Sequence, residues 1–188
     1  MNLSENVQRN GLIGGLSVVI LFLAYYFIDP NLLFGQISSG IPFLFIFPLF
    51  MTLSAVADKR ENGGYLEITP AFKSAFFTGL LALFIMVAFN FILQTIIDPT
   101  LVEKSKEVAF DAAIELAEAF SGGEELDDDA IQEIREKIEE TGSPTLGNSL
   151  ISFLLMGALG AVPAVIIALF VRKKEDPLEK LKREESLN

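Results

Sequence analysis

Asn90 and Gln94 lie four residues apart in a long apolar stretch, on one face of a helix. Asn148, Ser149 and Ser152 stand at the start of another such stretch. Amide and hydroxyl groups at these positions have two uses in a membrane: hydrogen bonds between helices, or the polar lining of a shallow vestibule for a small solute. Asn90, Gln94, Asn148 and Ser152 are the candidates for either role. The run Glu124-Glu125-Leu126-Asp127-Asp128-Asp129 invites a calcium reading, but it lacks the turn glycine and the spaced ligands of an EF-hand loop; it reads as the solvated start of a helix. The chain has no His and no Cys, which removes imidazole bases, thiol nucleophiles, disulfides and zinc-finger spacings. No phosphate loop, nucleophile elbow or metal triad occurs. The catalytic, cofactor and metal classes are therefore left without candidate residues, and the chain is expected not to be an enzyme.

The elements that would position these groups are set by hydropathy. Of 188 residues, 51% are apolar, and mean hydropathy is +0.47. Four runs without an ionisable residue cover 11–28, 41–57, 75–97 and 147–171. A helix rises about 1.5 Å per residue, so about 20 residues cross a hydrocarbon core of about 30 Å. The expected fold is an all-α integral membrane protein of four transmembrane helices. The first run is read as a retained helix, because its exit, Ala24-Tyr25-Tyr26-Phe27-Ile28, has bulky residues where a signal peptidase needs small ones. Gly157, Gly160, Ala164 and Ala168 form a small-residue stripe suited to close helix packing in the fourth span, and Gly11, Gly14 and Gly15 offer the same in the first.

Basic residues set the expected orientation. Residues 29–40 contain no Lys or Arg, whereas Lys59, Arg60 and Lys73 follow the second span, and Arg172, Lys173, Lys174, Lys180, Lys182 and Arg183 follow the fourth. The positive-inside rule places both termini and the 58–73 loop in the cytoplasm of a bacterial inner membrane. The whole net charge of −11 resides between Asp98 and Glu140, where 15 acids meet four bases. That balance disfavours a nucleic-acid partner. The chain divides into 1–97 with three spans, an acidic extracytoplasmic insert at 98–146, and 147–188 with the fourth span and a charged tail. Within the insert, Val102, Ala109, Ala113, Leu116 and Phe120 follow helical spacing up to Ser121-Gly122-Gly123; a second helix starts near Asp127 and stops at Thr141-Gly142. Its apolar stripe has three places to go: onto itself, onto the end of the bundle, or onto another copy. Phe27-Ile28-Asp29-Pro30-Asn31-Leu32 recurs as Ile96-Ile97-Asp98-Pro99-Thr100-Leu101. Two duplicated hairpins of one orientation would produce that match, and so would the shared use of Asp-Pro to stop a helix.

The stretch from Glu61 to Lys73, ENGGYLEITPAFK, followed by Phe76, Phe77, Gly79, Asp98-Pro99, an acidic helical insert and Lys173-Lys174-Glu175-Asp176-Pro177, resembles the bacterial membrane family of domain of unknown function 4199, common in Bacteroidota. Thr69-Pro70 departs from the Ser-Phe-Gly type of sequence at that point of the family. The resemblance implies an inner-membrane protein of about four spans with no established activity. The function expected is structural or accessory, through contacts in the membrane and outside it; the alternative is a small transporter or channel subunit using the vestibule. Expected partners are the lipid bilayer and a homo-oligomer or another membrane protein, with no cofactor.

Overall fold

The computed structural model describes residues 3–35, 40–122 and 126–174. Glu124 and Glu125 of the acidic run, and Lys180, Lys182 and Arg183 of the tail, lie outside the described residues. Four helices are long and apolar enough to cross a membrane: α1 (Glu5–Ile28), α2 (Pro42–Glu61), α3 (Ile68–Ile97) and α6 (Leu146–Val171). Between the third and fourth of these stand α4 (Leu101–Phe120) and α5 (Asp128–Thr141). Among the described residues the only extended pairing is a single antiparallel bridge between Leu66 and Lys173.

Each spanning helix outruns its apolar run. Ser4 caps α1, its Oγ accepting from the Val7 N–H at 3.3 Å, so the helix begins six residues before the apolar run. The backbone gains its hydrogen bonds inside the helix at any depth, so the end of the hydrocarbon layer gives it no reason to stop. The fourth span departs from an unbroken rod: α6 is interrupted at Gly160, between Leu146–Leu159 and Ala161–Val171. Pro163 has no N–H to offer the Leu159 carbonyl, and the helix breaks one turn before the ring. The second span does the equivalent. It opens with a wide turn at Pro42–Ile46 just ahead of Pro48.

Helix α3 is central and packs against α1, α2 and α6. The shared core is rich in small side chains: Ala55, Ala71, Ala75, Ala82, Ala164 and Ala168 are all fully or almost fully buried. Glycine is required where α1 meets α3. A Cβ on Gly15 would lie 2.7 Å from Ile85 Cδ1, and one on Gly11 would lie 2.8 Å from Leu81 Cδ2. Small residues of this kind bring membrane helices close enough for dispersion forces to hold them. The outer faces are the reverse: Ile20, Leu44, Leu154 and Phe170 project away from the bundle. Apolar exposure this continuous, on helices of this length, is the surface of a multi-pass membrane protein.

Helices α4 and α5 end as their sequence signals require. Gly122 takes a positive φ of 82° after α4, and Asp127 Oδ1 caps α5 by accepting from the Ala130 N–H at 2.8 Å. The two helices pack on each other, and among the described residues neither makes an extended contact with the spanning helices.

Candidate functional site

The two ends of the bundle differ in chemistry, so they are described as the basic end (Lys59, Arg60, Lys73, Arg172) and the insert end. At the basic end three helices each contribute a polar pair four residues apart: Asn6 and Asn10 on α1, Ser54 and Asp58 on α2, Ser74 and Thr78 on α3. Asn6, Asn10, Ser54, Ser74 and Thr78 are all buried. The Ser54 and Ser74 hydroxyls lie 3.0 Å apart, and Thr78 donates to the Ser74 carbonyl of its own helix at 2.8 Å. Asn6 Nδ2 donates to Asp58 Oδ1 at 2.9 Å, and Ser4 Oγ donates to Asp58 Oδ2 at 3.2 Å. A carboxylate is thereby placed against the amide-rich start of α1, where the helix dipole favours it. Lys59 Nζ donates to the Val171 carbonyl at 2.7 Å, placing a cation on the carbonyl end of α6. The Leu66–Lys173 bridge, with both N–H to O distances at 2.9 Å, ties the α2–α3 loop to the same helix end. The Lys173 ammonium lies 4.8 Å from the centre of the Tyr65 ring. These contacts make the basic end a closed polar cap.

At the insert end, Asp29 and Asp98 perform one local operation twice. Asp29 Oδ1 accepts from the backbone N–H of Asn31 and from its side-chain amide; Asp98 Oδ1 accepts from the backbone N–H of Thr100 and from its hydroxyl. Each turn ends a spanning helix and starts a new helical segment, at Pro30–Leu33 and at Leu101. Asp98 does more than its counterpart, because the Tyr26 hydroxyl donates to its second oxygen at 3.3 Å and joins α1 to the root of α4. The Thr100 hydroxyl bond, supported by the Thr100 N–H, Tyr26 and the Lys104 charge, holds the Asp98 carboxyl below the usual carboxylate range against the opposing effect of desolvation.

The polar candidates in the third and fourth spans take separate partners. Asn90 Nδ2 donates to the Met86 carbonyl of its own helix at 3.1 Å. Gln94 is half-buried on the next turn. Asn148 Nδ2 donates to the Thr141 and Ser143 carbonyls, each at 3.0 Å, and so closes the connection from α5 to α6. Ser152 is exposed on the outer face of α6. Among the packing candidates, Gly157, Ala164 and Ala168 are buried, and a Cβ on Gly157 would lie 2.9 Å from Leu80 Cδ2. Gly160 instead marks the helix break; a Cβ there would meet the carbonyl of Gly157 on its own helix at 3.2 Å. These polar pairs at the basic end, buried except for the half-buried Asp58, are not among the polar candidates read from the sequence. Their signal is the repeated four-residue spacing at three helix ends.

Concave regions lie both within the bundle and between α4 and α5. An apolar cavity of about 470 Å³ lies between α2, α3 and α6, with Phe47, Met51, Leu83 and Met156 on its walls. A polar groove of about 450 Å³ runs between α4 and α5. In it Lys106 bridges Glu103 at 3.5 Å and Glu139 at 3.1 Å, and the Arg135 guanidinium sits 4.4 Å from the Phe110 ring centre. The bond to Glu139 raises the Lys106 pKa above its ordinary value. Among the described residues, no group of three or more carboxylates is arranged to hold a metal ion.

The family model described as protein of unknown function, DUF4199, matches residues 9–173. The chain belongs to that family. The DUF4199 match takes in α1 from Arg9 onward, the other three spanning helices and the α4–α5 pair, and it ends at the lysine that pairs with Leu66. No curated protein and no solved structure matches the chain. The description of DUF4199 assigns no activity, so function has to be argued from the chain's own geometry.

Proposed function

We propose that this protein is a non-enzymatic accessory protein of a bacterial inner membrane, with its basic end and both termini in the cytoplasm and the α4–α5 pair displayed on the other side. The observation that carries this reading is the separation of that pair from the bundle. The two helices pack on each other, and Leu116 and Phe120 stand 59% and 84% exposed on a face that the other described residues do not cover. This helical arm belongs to the segment 98–140 that carries the whole acidic surplus, and with its uncovered apolar edge it suits recognition by another macromolecule. Lys59, Arg60, Lys73 and Arg172 at the opposite end support the orientation. The absence of enzymatic chemistry is supported by the ionisable groups, which occupy helix ends and the α4–α5 pair, with none in the middle of a span.

The test is a photoreactive residue in place of Phe120 in the full chain, expressed in its native membrane, with a second in place of Phe170 as a lipid-facing control. Adducts with one defined macromolecule at position 120, missing at position 170, are expected. The same pattern at both positions would contradict the reading.

A further inference from the structure

Resting on the recognition role proposed above, the geometry points to the kind of partner: a helix of another protein, with an apolar stripe and a flank of Lys or Arg, seated on the uncovered face of α4. Helix α4 is apolar on two sides. Phe110, Ile114 and Ala117 are half-buried on the side turned to α5, where Arg135 covers the Phe110 ring. Val108, Ala109, Ala112, Leu116, Ala119 and Phe120 are exposed on the other side. Steps of three and four residues align this second set in one stripe, with a rise of about 18 Å. Three alanines let another backbone approach closely, and Leu116 and Phe120 stand beside them as ridges for its grooves. A helix has no unpaired backbone edge along its length, so an added strand finds nothing to bond, whereas a second helix fits side by side.

Charge selects which helix. Glu107, Asp111, Glu115 and Glu118 run along one flank of the stripe, three or four residues apart. Glu107 and Asp111 also line the polar groove against α5. Among the described residues, no base lies within ion-pair distance of Glu107, Asp111 or Glu118. The four bases of the segment are already committed. Lys106 bridges Glu103 and Glu139, Lys137 bridges Glu133, Arg135 covers Phe110, and the charge of Lys104 acts on Asp98. A second copy would therefore bring an equally acidic segment without a base to offer, and the two would repel. Its Lys59, Arg60, Lys73 and Arg172 stand at the far end of its own bundle. An anionic membrane surface is disfavoured by the same repulsion. A basic amphipathic helix satisfies both features together: its stripe covers Leu116 and Phe120, and its long cationic side chains reach the acids on the flank.

The test uses the full chain in phosphatidylcholine vesicles and two synthetic helical peptides of about four turns. Both carry the same leucine stripe with one photoreactive leucine; the remaining positions are lysine in one and glutamate in the other. After irradiation, adducts are mapped by mass spectrometry. Lysine-peptide adducts concentrated between Val108 and Phe120 are expected, exceeding those of the glutamate peptide by about tenfold and falling as salt is raised. Glu107→Lys, Asp111→Lys and Glu118→Lys together should reverse the preference. If that variant fails to fold, Glu107→Gln, Asp111→Asn and Glu118→Gln together should remove it. Leu116→Ser with Phe120→Ser should lose most of the adducts. Equal yields from the two peptides, or lysine-peptide adducts spread over the spanning helices, would overturn the inference. So would disulfide links between copies of a Phe120→Cys variant that the lysine peptide does not diminish. One defined adduct at position 120 in the native membrane, with no preference between the peptides, would keep the recognition role and overturn only the basic partner.

Discussion

Asp58 and Lys59 are consecutive residues whose side chains secure opposite ends of two other helices. Asp58 accepts from Asn6 and Ser4 at the start of α1, and Lys59 donates to the Val171 carbonyl at the end of α6. A negative group at a helix start and a positive one at a helix end both oppose the local dipole. Because α1 enters the bundle where α6 leaves it, one dipeptide at the end of α2 fixes the depth of both. The order of charges is what matters: Lys at 58 and Asp at 59 would set each charge against the wrong end.

Exchanging the two, Asp58→Lys with Lys59→Asp, should therefore destabilise the bundle although the composition is unchanged. Each single neutral change, Asp58→Asn or Lys59→Met, should cost about 1 kcal/mol, the scale of a charge at a helix terminus. Unfolding in mixed micelles, followed by helix content, measures this. An exchange variant as stable as the parent would show that the dipole does not govern the contact.

Glycine substitutions should separate close helix crossings from helix breaks. Gly15→Ala drives a methyl to 2.7 Å from Ile85, between two packed helices, and should cost about 1–3 kcal/mol as other overpacked cores do. Gly160→Ala meets only its own helix at 3.2 Å and should cost clearly less. Equal losses in the same micelle assay would mean that α1 and α3 can separate freely.

The turn at the root of α4 gives a pH-dependent term. Asp98 titrates below the usual carboxylate range in the folded protein, chiefly because of the Thr100 hydroxyl. A lowered folded pKa stabilises above the unfolded carboxyl pKa of about 3.9, and that contribution fades as pH falls through the folded value. Thr100→Val keeps the backbone N–H and removes the hydroxyl, so the Asp98 carboxyl should titrate at higher pH than in the parent. Carbon-13 NMR of the carboxyl carbon reads it directly. An unchanged midpoint would remove the hydroxyl from the account.

The four spans, the two helices between them and the Asp127 and Gly122 helix ends were legible in the sequence, because length, capping residues and turn glycines are local properties. Which face of a span meets another helix was not. Lipid and protein interiors are equally apolar, so Leu83, buried beside the cavity, and Leu154, facing outward, read alike. The polar residues show the same limit. Asn90 and Asn148 have the composition of a shared site, yet Asn90 bonds its own helix and Asn148 bonds a loop. The pairs Asn6/Asn10, Ser54/Asp58 and Ser74/Thr78 sit towards helix ends, where polar residues are ordinary, and only the tertiary arrangement buries five of the six, with Asp58 half-buried beside them. The break at Gly160 was not read from the sequence, where the apolar run continues through it; its signal is Pro163, which denies the Leu159 carbonyl a donor.

The central claim is that the α4–α5 pair and the basic end lie on opposite sides of the membrane, the pair facing outward. The chain contains no Cys, so single probes can be introduced without background. Phe120→Cys and Asn62→Cys should be compared in intact cells with a membrane-impermeant thiol reagent, then again after lysis. The account predicts that Phe120→Cys labels at once and Asn62→Cys only after lysis. Labelling of Asn62→Cys in unbroken cells, with Phe120→Cys protected, would contradict it.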